Sequence, residues 1–216
     1  ARRVLQGART TIATALGCTA NEIIFTSGGT ESNNLALQGL MKQYHAKGNQ
    51  IVTSSFEHHA ILTVAEVLEK NGSEHVIVPV DHEGMVDETA LSEAITEGTI
   101  VVSIMYANNE VGTVQNIAHI AKIIREKKKM WGRGVLETPF LHTDACQATQ
   151  YLEMDVKKLG VDLMTINSSK IYGPKGVGAL YVRNGIKLAP QLIGGGQEQK
   201  MRSGTENIPS IVGFAK

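Results

Sequence analysis

Three short strings place reactive side chains directly after apolar runs. In Thr165-Ile166-Asn167-Ser168-Ser169-Lys170-Ile171-Tyr172-Gly173-Pro174-Lys175-Gly176, a lysine follows the run Leu163 to Ile166 and precedes a turn forced by Gly173, Pro174 and Gly176. A lysine taken at random is a surface residue. An amine in a partly desolvated mouth gives up its proton more readily and can attack a carbonyl to form a Schiff base. In His142-Thr143-Asp144-Ala145-Cys146-Gln147 a carboxylate ends another run. A buried carboxylate needs strong donors or a cationic partner, such as a protonated pyridine nitrogen. After Ile23-Ile24-Phe25 comes Thr26-Ser27-Gly28-Gly29-Thr30-Glu31-Ser32-Asn33-Asn34, with glycines and hydroxyls opening a helix. Free backbone N–H groups and the helix dipole favour an anion there, the glycines admit it closely, and Thr30 can donate its hydroxyl. By itself this string reads more simply as an N-capped helix with a glycine turn. It has neither a Gly-Lys-Ser/Thr ending nor the spaced glycines of a dinucleotide fingerprint.

Two more loops follow apolar runs. Glu57-His58-His59 suggests a metal, but adjacent side chains diverge and no third histidine or cysteine stands at ligand spacing. No metal is expected; one imidazole faces the site, where it can stack on an aromatic ring, and the other faces solvent. In Tyr106-Ala107-Asn108-Asn109-Glu110-Val111-Gly112 the amides can bind a phenolic or carbonyl oxygen, and turn chemistry explains them equally well. His45, His75, His82 and His119 read as surface residues of helices or turns. An amine, a carboxylate and a phosphate cradle are together the three anchors that pyridoxal 5'-phosphate requires.

The elements that must position these groups are legible as a rhythm. Apolar runs at Glu22 to Phe25, Ile51 to Thr53, Val76 to Val80 and Ile100 to Met105 precede helix-period segments at Asn33 to Ala46, Ala60 to Glu69, Glu88 to Ile95 and Ile117 to Lys128. Leu141 to Thr143 precedes a polar stretch and then Leu163 to Ile166. Repeated units of this length predict an α/β fold, mainly parallel, with helices on both faces. Ligands in such sheets bind at the carboxyl ends of the strands, where all the strings above lie. Val177 to Val182 follows the glycine turn too closely for a helical crossover and should pair antiparallel. Lys127 to Pro139 reads as a solvated loop, with a basic binding patch the less favoured alternative in a chain of no net charge.

The chain has 216 residues and a formal net charge of zero, which offers nothing to nucleic acid. It has no apolar run long enough to cross a bilayer, and its first residues lead into an amphipathic helix, not a secretory signal. A cytoplasmic protein is expected. Cys18 and Cys146 lie far apart and suggest neither a disulfide framework nor a zinc site.

The chain resembles, over nearly its whole length, the pyridoxal phosphate-dependent cysteine desulfurases, with selenocysteine lyases close behind. The matching strings are Phe25 to Asn34, Glu57-His58, Asn108 to Gly112, His142 to Ala145, Lys170 to Gly176, Gly194-Gly195-Gly196-Gln197-Glu198 and Arg202-Ser203-Gly204-Thr205. The resemblance implies a fold-type I large domain in which Lys170 holds the cofactor, Asp144 pairs with the pyridinium nitrogen and His58 stacks on the ring. It implies that Gly29 and Thr30 bind the phosphate, with Asn167, Ser168 and Ser169 beside them, and that Asn109 and Gln147 bind the phenolic oxygen. Thr205 would reach the phosphate of a neighbouring subunit, implying a homodimer. The Gly194 to Asn207 segment otherwise reads as a flexible glycine loop. For the intact protein the implied reaction converts L-cysteine to L-alanine, Lys170 moving the Cα proton. The sulfur passes, as a persulfide on an enzyme cysteine, to an acceptor such as an iron–sulfur scaffold protein or a tRNA-thiolation enzyme.

Two departures stand out. The family usually has His before the lysine and commonly a Ser two positions earlier; here these are Ser169 and Asn167. A hydroxyl is shorter than an imidazole and cannot become cationic, so looser phosphate binding is expected. Relatives also carry a nucleophilic cysteine and a carboxylate-binding arginine beyond the position of Lys216, and a segment before Ala1. Cys146 reads as a buried packing residue and Cys18 lies in the turn after the first helix. With no initiating Met and a helix-like ending, residues 1–216 are expected to be an incomplete pyridoxal phosphate-binding domain with little or no desulfurase turnover. A selenocysteine lyase or aminotransferase would use the same anchors, and a cofactor-free structural or partner-binding piece is the non-enzymatic alternative.

Overall fold

The computed structural model describes all residues 1–216. Its elements in chain order are α1 (Arg2–Ala15), β1 (Ile23–Thr26), α2 (Gly29–Gln43), β2 (Gln50–Ser54), α3 (His59–Lys70), β3 (Glu74–Val78), α4 (Glu88–Ala94) and β4 (Thr99–Ser103). There follow α5 (Ile117–Met130), β5 (Phe140–Asp144), α6 (Val156–Leu159), β6 (Leu163–Asn167), β7 (Gly178–Val182) and α7 (Ile208–Phe214). The seven strands form one sheet in the order β1-β7-β6-β5-β4-β2-β3. Only β7 runs antiparallel, between β1 and β6. The ten residues that join β6 to β7 cannot hold a crossover helix, so the chain turns straight back.

The inner strands β2, β4 and β5 are buried along their whole length, each around a short apolar run, as parallel strands covered by helices on both faces must be. One apolar cluster joins α1, α4, α5 and α7 to one face of the sheet, and another joins α2 and α3 to the other. Between β5 and β6 the crossover carries only the four-residue α6, which accounts for the polar stretch in the sequence. The edge strand β3 starts two residues earlier than the sequence suggests, because Glu74 and His75 pair with β2 although they are polar. His75 is therefore a strand residue, half-buried and bonded to Thr53 Oγ1 at 2.9 Å, not a surface residue of a helix or turn.

The Lys127 to Pro139 segment is not wholly a solvated loop. α5 runs on to Met130, and Lys128 is only 5% exposed. Residues 121, 124 and 128 share the helical stripe that faces the sheet, so periodicity carries Lys128 inward. The Gly194 to Asn207 segment is anchored rather than free. Glu198 pairs with Arg9 at 2.6 Å and accepts from Phe25 N–H at 2.8 Å, while Arg202 pairs with Glu31 at 2.7 Å.

Candidate active site

A cleft of about 310 Å³ opens at the carboxyl ends of the parallel strands. β1 delivers Gly29, Thr30 and Asn33; β2 delivers His58; β4 delivers Met105 and Asn109; β5 delivers Asp144, Cys146 and Gln147; β6 delivers Asn167, Ser169 and Lys170. Nine of the eleven residues singled out in the sequence thus meet in one place. Ser168 and Thr205 do not. Ser168 is fully buried, its Oγ has no partner, and it fills the space that Gly173 leaves by lacking a side chain. In a tight turn successive side chains diverge, so Ser169 and Lys170 take the cleft and Ser168 faces away. Thr205 is exposed.

The anion end of the cleft is the start of α2. The helices α4 and α6 open on Asp87 and Asp155, whose carboxylates accept first-turn N–H groups. α2 opens on Gly28, which has no side chain to do so. Its first-turn N–H groups are left for another acceptor, and a 15-residue helix adds the field of its dipole. Gly28 holds φ 152°, and Gly178 of β7 packs directly against its backbone, so neither position admits a Cβ without rearrangement.

At the opposite wall Asp144 is 4% exposed and makes no ion pair. Its Oδ2 accepts from Asn33 Nδ2 at 2.7 Å and its Oδ1 from Cys146 N–H at 3.0 Å. Neutral donors hold this carboxylate in place without neutralising it, which leaves it suited to a cationic ligand atom. Asn33 escaped the sequence reading; it lies one helical turn beyond Gly29, on the face that the cradle presents. His142, just before the strand end, is wedged between Ser103 Oγ and Thr165 Oγ1 at 2.9 and 3.1 Å, and burial pushes its pKa down to about 4. Glu57 was read only as a neighbour of His58. It is a buried carboxyl whose Oε1 accepts from Ser54 Oγ at 2.5 Å and Met105 N–H at 2.7 Å, while Oε2 has no partner. Burial, reinforced by the charge of Asp144, pushes Glu57 up to about 8.

His58 caps α3: its Nδ1 accepts from Ala60 N–H at 3.0 Å, which leaves the proton of the neutral ring on Nε2. The ring faces the cleft, whereas His59 is exposed outside it. Lys170 sits in a 3₁₀ turn spanning Ser168–Ile171, closed by Tyr172 in the left-handed region at φ 61°. A non-glycine residue held there costs on the order of 1–3 kcal/mol, a strain found where a turn must aim a side chain. The chain leaves Lys170 exposed at the rim, not partly desolvated as its apolar approach suggested. Cys146 Sγ is buried, and burial next to Asp144 pushes the thiol well above its ordinary range, so it stays protonated and packs.

The family model for aminotransferase class-V matches residues 1–216. The chain belongs to the class-V aminotransferase family. Among class-V relatives it is 46% identical to a cysteine desulfurase IscS of Dictyoglomus turgidum over 215 residues, which are 100% of this chain and 52% of that protein. It is 47% identical to cysteine desulfurase IscS 1 of Archaeoglobus fulgidus over 216 residues, 54% of that protein. The chain spans about half the length of the curated relatives it matches. Among solved structures, a NifS-like protein superposes with a TM-score of 0.93 at 39% identity, covering 99% of this chain and 56% of its own. A structure of SspA in complex with cysteine gives 0.90 at 37% identity, covering 99% of this chain and 59% of its own. The seven-stranded, mostly parallel sheet is the fold of these NifS-like neighbours. No helix is long and apolar enough to cross a membrane.

Proposed function

We propose that this chain is the pyridoxal 5'-phosphate-binding part of a cysteine desulfurase. One observation carries the reading: a single cleft joins an amine, a buried carboxylate without a cation and an uncapped helix start, from the loops that follow three different strands. These residues fit the group. The uncapped start of α2 takes its phosphate, with Ser169 beside it; Asp144 takes its ring nitrogen; Lys170 supplies the covalent attachment. His58 covers a ring face, and Asn109 and Gln147 are within the cleft to bind the phenolic oxygen. When bound, the group acts as an electron sink for a carbanion at the substrate Cα.

The chain's own residues then have distinct tasks. Asn33 and Cys146 N–H hold Asp144 in place and aim it into the cleft. Met105 N–H and Ser54 hold Glu57 buried within reach of the charge of Asp144, and its raised pKa keeps it from adding a second negative charge there. The amine of Lys170, at the rim, moves a proton at the substrate Cα. The relatives named cysteine desulfurase and the SspA structure with cysteine support L-cysteine as the substrate, L-alanine as the product and transfer of the sulfur to an acceptor protein. An iron–sulfur scaffold is the acceptor that the name IscS favours, with a tRNA-thiolation enzyme as the other candidate. A homodimer in which Thr205, exposed within the anchored glycine segment, reaches the partner's phosphate completes the reading.

The test is reconstitution with pyridoxal 5'-phosphate. A visible absorption band that borohydride fixes onto Lys170, and that Lys170→Ala abolishes, is the expected result. A colourless chain, or label on another lysine, overturns the reading. The 216 residues alone are expected to release little sulfide from L-cysteine, and robust turnover would refute that part.

A further inference from the structure

The other end of the sheet holds a second cavity, of about 490 Å³, where β5 and β6 begin and β7 ends. The only carboxylate lining it is that of Asp162. This group serves two cations: Arg183 Nε lies 2.9 Å from Oδ1, outside hydrogen-bonding geometry, and Lys128 Nζ lies 4.0 Å from Oδ2. The Asp162 carboxylate also accepts from Leu141 N–H at 2.9 Å. The Lys128 side chain is 6% exposed, yet its ammonium makes one hydrogen bond, to Val135 O at 3.0 Å. An ammonium has three N–H groups, so a buried cation keeps donors to spare on the cavity floor. At the walls and mouth, Arg125, Lys129 and Lys157 also line the space, and none of them forms an ion pair. In a chain with no net charge, this is a local excess of positive charge.

We propose that this cavity binds a small molecule bearing a di- or triphosphate. The floor supplies one surplus cation and the rim three, matching the three to four negative charges that such a group carries. Guanidinium donors suit phosphate oxygens, and a concave, partly desolvated wall strengthens each contact over one made in open water. Burial, reinforced by the charges of Arg183 and Arg125, pushes Lys128 down from its ordinary range, so an incoming anion relieves an imbalance already present. The site shares no lining residue with the cleft at the opposite end of the strands.

Calorimetric titration of the folded chain with inorganic pyrophosphate and with ADP tests this. Saturable one-to-one binding is expected, weakening as salt rises and weaker for AMP than for ADP. The exposed-residue variant Arg125→Glu/Lys157→Glu should bind at least tenfold more weakly, with unchanged circular dichroism. Lys128→Met should weaken binding to a similar degree. Absence of saturable binding to both probes overturns the proposal. So does undiminished binding in the Arg125→Glu/Lys157→Glu variant, which would place the anion elsewhere, as at the start of α2. A poly-glutamate peptide that binds tighter than either probe also overturns it, in favour of an acidic protein partner.

Discussion

Two buried aspartates, three register steps or roughly 10 Å apart along neighbouring strands, sit in opposite electrostatic surroundings. Asp144, at the carboxyl end of β5, is held by an amide and a backbone N–H and has no cation of its own. Asp162, at the amino end of β6, is shared between a buried lysine and an arginine and is still outnumbered. The first site is short of positive charge and the second has too much. The same strand pair therefore presents, at its two ends, a place for a cationic ring atom and a place for an anion. A carboxylate's role is set by whether its donors are neutral or charged.

The largest effect that can break this comparison is on stability. Asp162→Ala leaves Lys128 and Arg183 buried or half-buried without their counter-charge and should destabilise the chain by about 3–5 kcal/mol in urea unfolding. Asp144→Asn removes a charge that has no cation and should cost less than about 1 kcal/mol in the same assay while lowering cofactor retention. Equal costs would show that the two carboxylates are not differently compensated.

Next comes the pH dependence of the Asp144 end. Glu57 has a folded pKa raised from 4.5 to about 8, so the folded chain binds the extra proton across that window. Its contribution is fully present below the unfolded value and is lost as pH rises through about 8. Glu57→Gln keeps the acceptor and cannot ionise, so at pH 9 it should be more stable than the parent by about 1–4 kcal/mol, with the gap closing toward pH 5. A gap that does not change with pH would refute a proton on Glu57.

Smaller changes sharpen the assignment of donors. Asn33→Leu removes the amide from Asp144 Oδ2 and should cost about 1–3 kcal/mol in stability. Cofactor binding, followed by absorbance, should weaken with it; unchanged binding would show that Asp144 is aimed by Cys146 N–H alone. Ser169→His should tighten cofactor binding by a few-fold, worth under about 1 kcal/mol. Weaker binding than in the parent would contradict the part given to the short hydroxyl.

Much of the cleft was legible because strand ends are marked in the sequence by apolar runs that stop at Gly, Asp or Asn. Lys170, Asp144, Gly29 and Thr30 each stand directly after such a run, and one sheet brings those ends together. Asn33 was missed because a polar residue inside a helix reads as solvent-facing until the turn that precedes it is placed against the sheet. Lys128 was missed because Lys127-Lys128-Lys129 looks like a charged tract, although the spacing from Ala121 and Ile124 already puts one of the three on the buried stripe. Ser168 and Ser169 were not separable by type, since only the sense of the 3₁₀ turn decides which one faces the cleft.

The sequence by itself determined the alternation of strands and helices, the reversal at β7 and the identity of the groups at each strand end, because these follow from local periodicity and chain length. Only the tertiary structure decided which of those groups face one another, how far Lys170 is exposed and how charge is shared around Asp144 and Asp162. Burial and ion pairing depend on residues distant in the chain, and no local pattern encodes the dielectric in which a side chain finally rests.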